Sequence, residues 1–131
     1  MRVLFVCTEN SGRSQIAEAF TNMLGADGVE AYSACPEPGE VIVPQAVEVM
    51  NEIGYGLEPR ILLSVDELPD VVFDYVVTMN GEECPMVKTR MHIEWDIPDP
   101  RGMGVSGFRH VRDTIRERVQ RLLTAPRALL D

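Results

Sequence analysis

The chain has 131 residues, of which 45% are hydrophobic, and it carries a formal net charge of -9 at pH 7. This length and apolar content suit one domain, residues 1–131, with a single core. The acidic balance disfavours binding to nucleic acid or to an anionic membrane, because both need a basic surface. The sequence shows no signal-like or membrane-spanning run, and its three cysteines are too few for a secreted disulfide framework. We therefore expect a cytoplasmic protein with reduced thiols.

The first half of the chain alternates strand-like and helix-like segments. The almost wholly apolar run Arg2–Val6 predicts a central parallel strand, and the spacing of apolar residues over Ser14–Leu24 predicts a helix. A second strand is predicted at Val29–Ala34. A second helix is predicted to begin at Pro44 and to end before Gly54. Its expected buried residues are Ala46, Val47, Met50 and Ile53.

The second half continues this alternation. Val71–Met79 is the clearest central strand, a short helix is predicted near Ser64–Leu68, and Arg90–Asp96 predicts a fourth strand. The longest helix comes last, with a buried stripe predicted at Phe108, Val111, Ile115, Val119 and Leu122. We interpret its arginines as a solvated face: Arg109, Arg112, Arg116, Arg118 and Arg121. The pattern predicts an α/β fold, a doubly wound four-stranded parallel sheet with helices on both faces.

The segment CTENSGRS, residues 7–14, joins the first strand to the first helix. Ligands of doubly wound sheets bind at the carboxyl ends of the strands, and backbone amides at a helix N-terminus bind anions. Arg13 adds a planar set of donors suited to a tetrahedral oxyanion, and this cationic environment favours the thiolate of Cys7. Ser14 can donate a hydrogen bond to that sulfur. The predicted oxyanion-binding residues are Thr8, Glu9, Asn10, Ser11, Gly12, Arg13 and Ser14.

These features resemble one family, the low-molecular-weight protein tyrosine phosphatases together with the thiol-dependent arsenate reductases of the same fold. The resemblance covers nearly the whole chain. It is carried by RVLFVCTENSGRSQIAEAF, AYSACPEPG, DYVVTMNGEECP, and WDIPDPRG followed by FRHVRDTI. It implies that Cys7 is the nucleophile, that Arg13 holds the oxyanion and that Asp99 is the general acid.

The sequence around Asp99 gives independent support for an acid at this position. Pro98 and Pro100 restrict the backbone on both sides of Asp99, so its carboxyl group can be aimed at a leaving group. Asp96, three residues earlier, is the competing candidate. By itself, an Asp-Pro pair in a turn is also common for purely structural reasons.

A second thiol would distinguish a reductase from a phosphatase. A phosphatase hydrolyses its phosphocysteine with water, whereas an arsenate reductase needs another thiol to attack the sulfur and release arsenite. Cys84 is the first candidate for this resolving thiol, since reductases of the family commonly carry a cysteine before proline in that loop. Asn80 stands where many carry a further cysteine, and Cys35 is the reserve candidate. Which of Cys84 and Cys35 acts is left open.

Three features favour the reductase branch. Arg101 and Gly102 follow Asp-Pro where phosphatases usually have an aromatic residue, and Ser11-Gly12 and Gln15 also depart from the phosphatase pattern. The primary prediction is therefore an arsenate reductase, and the alternative is a tyrosine phosphatase or small phosphomonoesterase. The expected reductant is a thioredoxin, a glutaredoxin-like protein or a small thiol.

We expect no metal cofactor, because His92 and His110 lack ligand spacing with the cysteines. The resemblance also implies a possible monovalent cation near Asn10, Glu18 and Ser33.

Overall fold

The computed structural model describes residues 1–7, 12–34, 42–57, 63–79 and 85–124. These described residues form four strands, β1 (Arg2–Val6), β2 (Glu30–Ala34), β3 (Phe73–Met79) and β4 (Thr89–Trp95). The α-helices are α1 (Arg13–Leu24), α2 (Pro44–Glu52) and α3 (Gly104–Thr124), and a short 3₁₀ helix, Val65–Glu67, lies between α2 and β3. The predicted elements are confirmed, with most boundaries displaced by one or two residues.

All four strands are parallel, and they lie in the order β2-β1-β3-β4. Val6, the last residue of β1, pairs with Ala34 of β2 and with Thr78 of β3. The chain therefore moves from β1 to one side and then crosses to the other, so the strand order reverses between β1 and β3. Cys7 directly follows β1 at this switch point, which is where ligands of such sheets bind.

Alternate residues of β1 pack on opposite faces of the sheet. Val3 and Phe5 join the larger core, to which α1, α2 and α3 all contribute. Leu4 and Val6 join a smaller cluster, against which Val65 of the 3₁₀ helix packs. Helical elements thus cover both faces, as predicted, but the three α-helices share one face.

The buried stripe of α2 differs from the prediction. Ala46 and Met50 are buried as expected, but Val47 and Ile53 are only partly buried. Val49 is fully buried instead. Because α2 also packs on α3, the side of the helix that carries Val49 faces the core.

The apolar stripe of α3 is confirmed, but its arginines are not all solvated. Arg112 is buried, with 9% of its surface exposed, because it follows Phe108 by one turn and lies at the margin of the stripe. Its Nη1 donates to the carbonyl of Val49 at 3.0 Å and to Glu52 at 2.8 Å. The prediction of a wholly solvated arginine face is therefore wrong at Arg112. None of the helices in the described part of the chain is long and apolar enough to span a membrane.

Candidate active site

The sulfur of Cys7 is buried between the end of β1 and the start of α1. Its Sγ lies 3.1 Å from Oγ of Ser14, and either atom can be the donor. The backbone N–H of Ser14 also donates to Sγ, at 3.4 Å. Two polar groups of the first helical turn therefore contact the sulfur, and both can donate to a thiolate. The predicted Cys7–Ser14 contact is present.

Gly12 brings the chain into α1 through a left-handed backbone conformation. Its φ is 82°, and its carbonyl accepts the first helical hydrogen bond, from Ile16, at 3.0 Å. A Cβ placed on Gly12 would lie 2.7 Å from Cβ of Ala46 and 3.3 Å from Val43. Backbone conformation and the close approach of α2 therefore both require glycine here.

Arg13 is the first residue of α1, and its side chain is completely buried. Its Nη1 donates to the carbonyl of Ile97 at 2.6 Å. Ile97 is itself buried and lies in the segment after β4, two residues before Asp99. This hydrogen bond ties the predicted oxyanion-binding arginine to the segment that carries the predicted acid.

Asp99 forms a close ion pair with Arg101. Nε and Nη2 of Arg101 donate to Oδ2 of Asp99 at 3.0 and 2.7 Å, and the backbone N–H of Arg101 donates to Oδ1 at 3.0 Å. Partial burial would raise the pKa of Asp99, but the hydrogen bonds from Arg101 outweigh it, and the charges of Arg101 and Arg13 add to the lowering. The pKa of Asp99 is consequently below its ordinary value, and the pairing with Arg101 favours its carboxylate form.

The structure thus describes five of the predicted site residues: Cys7, Gly12, Arg13 and Ser14 at one edge of the sheet, and Asp99 in the segment after β4. Arg13 is joined to that segment by its hydrogen bond to Ile97, and its charge adds to the lowering of the Asp99 pKa. Asp96, the competing candidate, is exposed. The remaining predicted site residues lie outside the described residues: Thr8, Glu9, Asn10, Ser11, Cys35 and Cys84. Of the three cysteines, Cys7 is the one that the described part of the chain contains.

Two features of the site were not anticipated from the sequence. Arg101 was noted only as a replacement for an aromatic residue, although its spacing of two from Asp99 in a turn permits the observed pair. The approach of Ala46 to Gly12 joins residues far apart in the chain, and no local pattern indicates it. Gln15 is buried, and its Oε1 has no hydrogen-bond partner among the described residues.

The described residues contain no group of three or more His, Cys, Asp or Glu side chains that could hold a metal ion. His92 instead lies 2.6 Å from the hydroxyl of Thr78, through its Nε2. For the predicted cation site, Ser33 is buried in β2 and Glu18 is partly buried in α1, while Asn10 is outside the described residues. That site stays a prediction.

Residues 2–129 match the family described as low molecular weight phosphotyrosine protein phosphatase. A glutaredoxin arsenate reductase from Synechocystis sp. is 31% identical over 126 residues, covering 93% of this chain and 95% of that protein. An arsenate reductase from Staphylococcus aureus (strain Newman) is 35% identical over 118 residues, covering 87% and 89% of the two chains. A solved arsenate reductase in a phosphate-binding state superposes with a TM-score of 0.82 at 30% identity, covering 99% of this chain and 98% of that one.

Proposed function

Because the chain belongs to the low molecular weight phosphotyrosine protein phosphatase family, we propose that its Cys7, Arg13, Asp99 and Cys84 carry out the reduction of arsenate to arsenite. The relatives confirm the family and the reductase branch that the sequence predicted. The contact of Cys7 with the first turn of α1 is the observation that supports the site assignment most directly, because the hydroxyl and the backbone N–H of Ser14 both contact the sulfur.

The first step forms a bond between sulfur and arsenic. The thiolate of Cys7 attacks the arsenic atom of arsenate, while Arg13 and the amides before α1 hold the remaining oxygens. One hydroxyl group of the arsenate leaves as water after receiving a proton from Asp99, as the sulfur–arsenic bond replaces its bond to arsenic. Arsenic is still pentavalent in the resulting adduct on Cys7, so no electrons have been transferred.

The second step carries the two-electron reduction. The thiolate of Cys84 attacks Sγ of Cys7, and a disulfide forms between the two residues. The electron pair of the sulfur–arsenic bond stays with arsenic, which leaves as trivalent arsenite. A thiol reductant must then reduce the disulfide. The Synechocystis relative named for glutaredoxin supports a glutaredoxin-like donor, and a thioredoxin or a small thiol would perform the same exchange.

Arg101 also favours a small inorganic oxyanion over a phosphotyrosine. The two residues after Pro100 are Arg101 and Gly102, both exposed, so no aromatic ring is available there to pack on a phenol. A charged guanidinium next to the acid suits a ligand that carries charge on all sides.

The test is a single turnover without added reductant. Wild-type protein should release one arsenite per chain and acquire a Cys7–Cys84 disulfide, detectable by peptide mapping. Cys84→Ser should retain the arsenic adduct on Cys7 and should release arsenite only when an external thiol is added. Cys35→Ser is the matched control, and it should behave as wild type.

Two other results would change the resolving residue or the class of enzyme. A Cys7–Cys35 disulfide would transfer the resolving function to Cys35. Release of phosphate from p-nitrophenyl phosphate that does not depend on Cys84, with no arsenate-dependent disulfide, would replace the reductase with a phosphatase.

A further inference from the structure

Asp99 forms a bidentate pair with Arg101 and lies two residues after Ile97, whose carbonyl accepts a hydrogen bond from Arg13. Arg101 contacts both carboxylate oxygens, with Nη2 at 2.7 Å from Oδ2 and Nε at 3.2 Å from Oδ1. The charge of Arg13 adds to the effect of this pair on the pKa of Asp99. An acid that must deliver a proton is therefore paired in its ionised form.

The Asp99–Arg101 pair can be broken at low cost. The side chains of Arg101 and Asp99 are 38% and 30% exposed, and ion pairs of this exposure contribute little to stability. A tetrahedral oxyanion on Arg13 would bring a second anion close to both residues. It would repel the Asp99 carboxylate and attract the Arg101 guanidinium, which has enough donors to bind either partner.

From this geometry we propose that Arg101 is a positioning residue for the general acid. It holds Asp99 as a carboxylate until an oxyanion binds, and it then moves to the oxyanion so that Asp99 can take up a proton. The proton comes from water or from a protonated oxyanion, and no electron transfer is involved. This inference rests on the proposed function only in assigning Asp99 as the acid.

The experiment follows the titration of Asp99 itself, with carboxyl-labelled aspartate and carbon NMR. Asp99→Asn identifies the resonance by its loss. In wild-type protein, inorganic phosphate should shift the titration of Asp99 to higher pH. In Arg101→Gln, the titration should already lie at higher pH without phosphate, and phosphate should shift it less than in wild type.

Two further variants keep the result interpretable. Arg101→Lys retains the charge but not the bidentate contact, so its titration should fall between those of wild type and Arg101→Gln. Arg121→Gln removes the arginine that pairs with Glu117 at the far end of α3, and it should leave the titration of Asp99 unchanged. Equal titration in wild type and Arg101→Gln, or equal phosphate shifts in both, would overturn the inference.

The assignment of Asp99 as the general acid is tested by a separate experiment. Asp99→Asn should reduce arsenite formation by about 100- to 10,000-fold, the usual range for a positioned general acid, whereas Asp96→Asn should not. Full activity of Asp99→Asn would remove Asp99 from the mechanism even if Arg101 controls its titration. A large loss in Asp99→Asn without any effect of Arg101→Gln on the titration would leave the mechanism intact and reject the function of Arg101.

Discussion

Gly12 shows how one residue connects the chemistry to the packing. The backbone at Gly12 is left-handed where the chain enters α1. The absence of a side chain also lets Ala46 of α2 approach the same point. Any larger residue would have to displace either this turn, which leads directly into Arg13, or α2.

We expect Gly12→Ala to lower the free energy of unfolding by about 2–4 kcal/mol, from the left-handed backbone and the overlap with Ala46 together. Gly54→Ala is the control, because Gly54 has a φ of 83° but nothing within 4 Å of an added Cβ. It should cost about 1 kcal/mol. Urea unfolding measures both, and phosphate titration calorimetry should show weaker binding only for Gly12→Ala. Equal effects of the two variants would show that the contact with Ala46 is unimportant.

At the scale of elements, α2 is fixed to α3 by a cluster of ion pairs. Glu52, at the end of α2, accepts hydrogen bonds from Arg109 at 2.7 Å and from Arg112 at 2.8 Å. Arg112 also donates to the carbonyl of Val49 and to Asp113. Since the other end of α2 lies against Gly12, this cluster helps to hold the helix that borders the site.

We expect Arg112→Met to lower the free energy of unfolding by roughly 1–3 kcal/mol, because the buried carbonyl of Val49 loses its side-chain donor. The matched control is Arg109→Met, which removes a half-exposed partner of the same carboxylate and should have a much smaller effect. Urea unfolding at low and high salt separates the two, since only the Arg109 effect should disappear at high salt. An Arg112→Met variant as stable as wild type would contradict the importance of the buried contact.

At the scale of the whole molecule, ion pairs determine how stability responds to acid. The hydrogen bond from Arg2 lowers the pKa of Glu30, and that from Arg109 lowers the pKa of Glu52. At Asp99, burial opposes the lowering, but Arg101 outweighs it. A carboxyl group with a lower pKa in the folded state stabilises the fold above its unfolded pKa, and this contribution is lost as the pH falls through the folded value.

Titration of these three carboxyl groups should therefore change the free energy of unfolding little above about pH 5, because the ordinary pKa values are 4.5 for glutamate and 3.8 for aspartate. It should then decrease as the pH falls further. Urea unfolding at about pH 7, 5 and 3 measures how the free energy of unfolding depends on pH. The double variant Arg2→Met, Arg109→Met should lose less stability between the last two values than wild type does. An increase in stability below pH 4 would contradict the prediction.

The sequence by itself determined the parallel α/β architecture and the contact of Cys7 with the first turn of α1. Apolar periodicity and turn residues act locally, so they predict β1, α1 and α3 within one or two residues. Cys7 and Ser14 are only seven positions apart, directly after β1 and in the first turn of α1, so the chain itself keeps the thiol near the start of the helix. The same local spacing predicted the Cys7–Ser14 contact.

Only the tertiary structure decided which distant groups meet. The hydrogen bond from Arg13 to Ile97 and the approach of Ala46 to Gly12 join segments separated by 84 and 34 positions, and they depend on how strands and helices pack. The burial of Arg112 depends on where α2 lies on α3, which the pattern of either helix alone does not specify. Side-chain orientation decides the pairing of Arg101 with Asp99, although the two are near neighbours, because a turn allows either residue to face solvent. These contacts follow from packing rather than from local preference, and one of them joins Arg13 of α1 to the segment after β4 that carries Asp99.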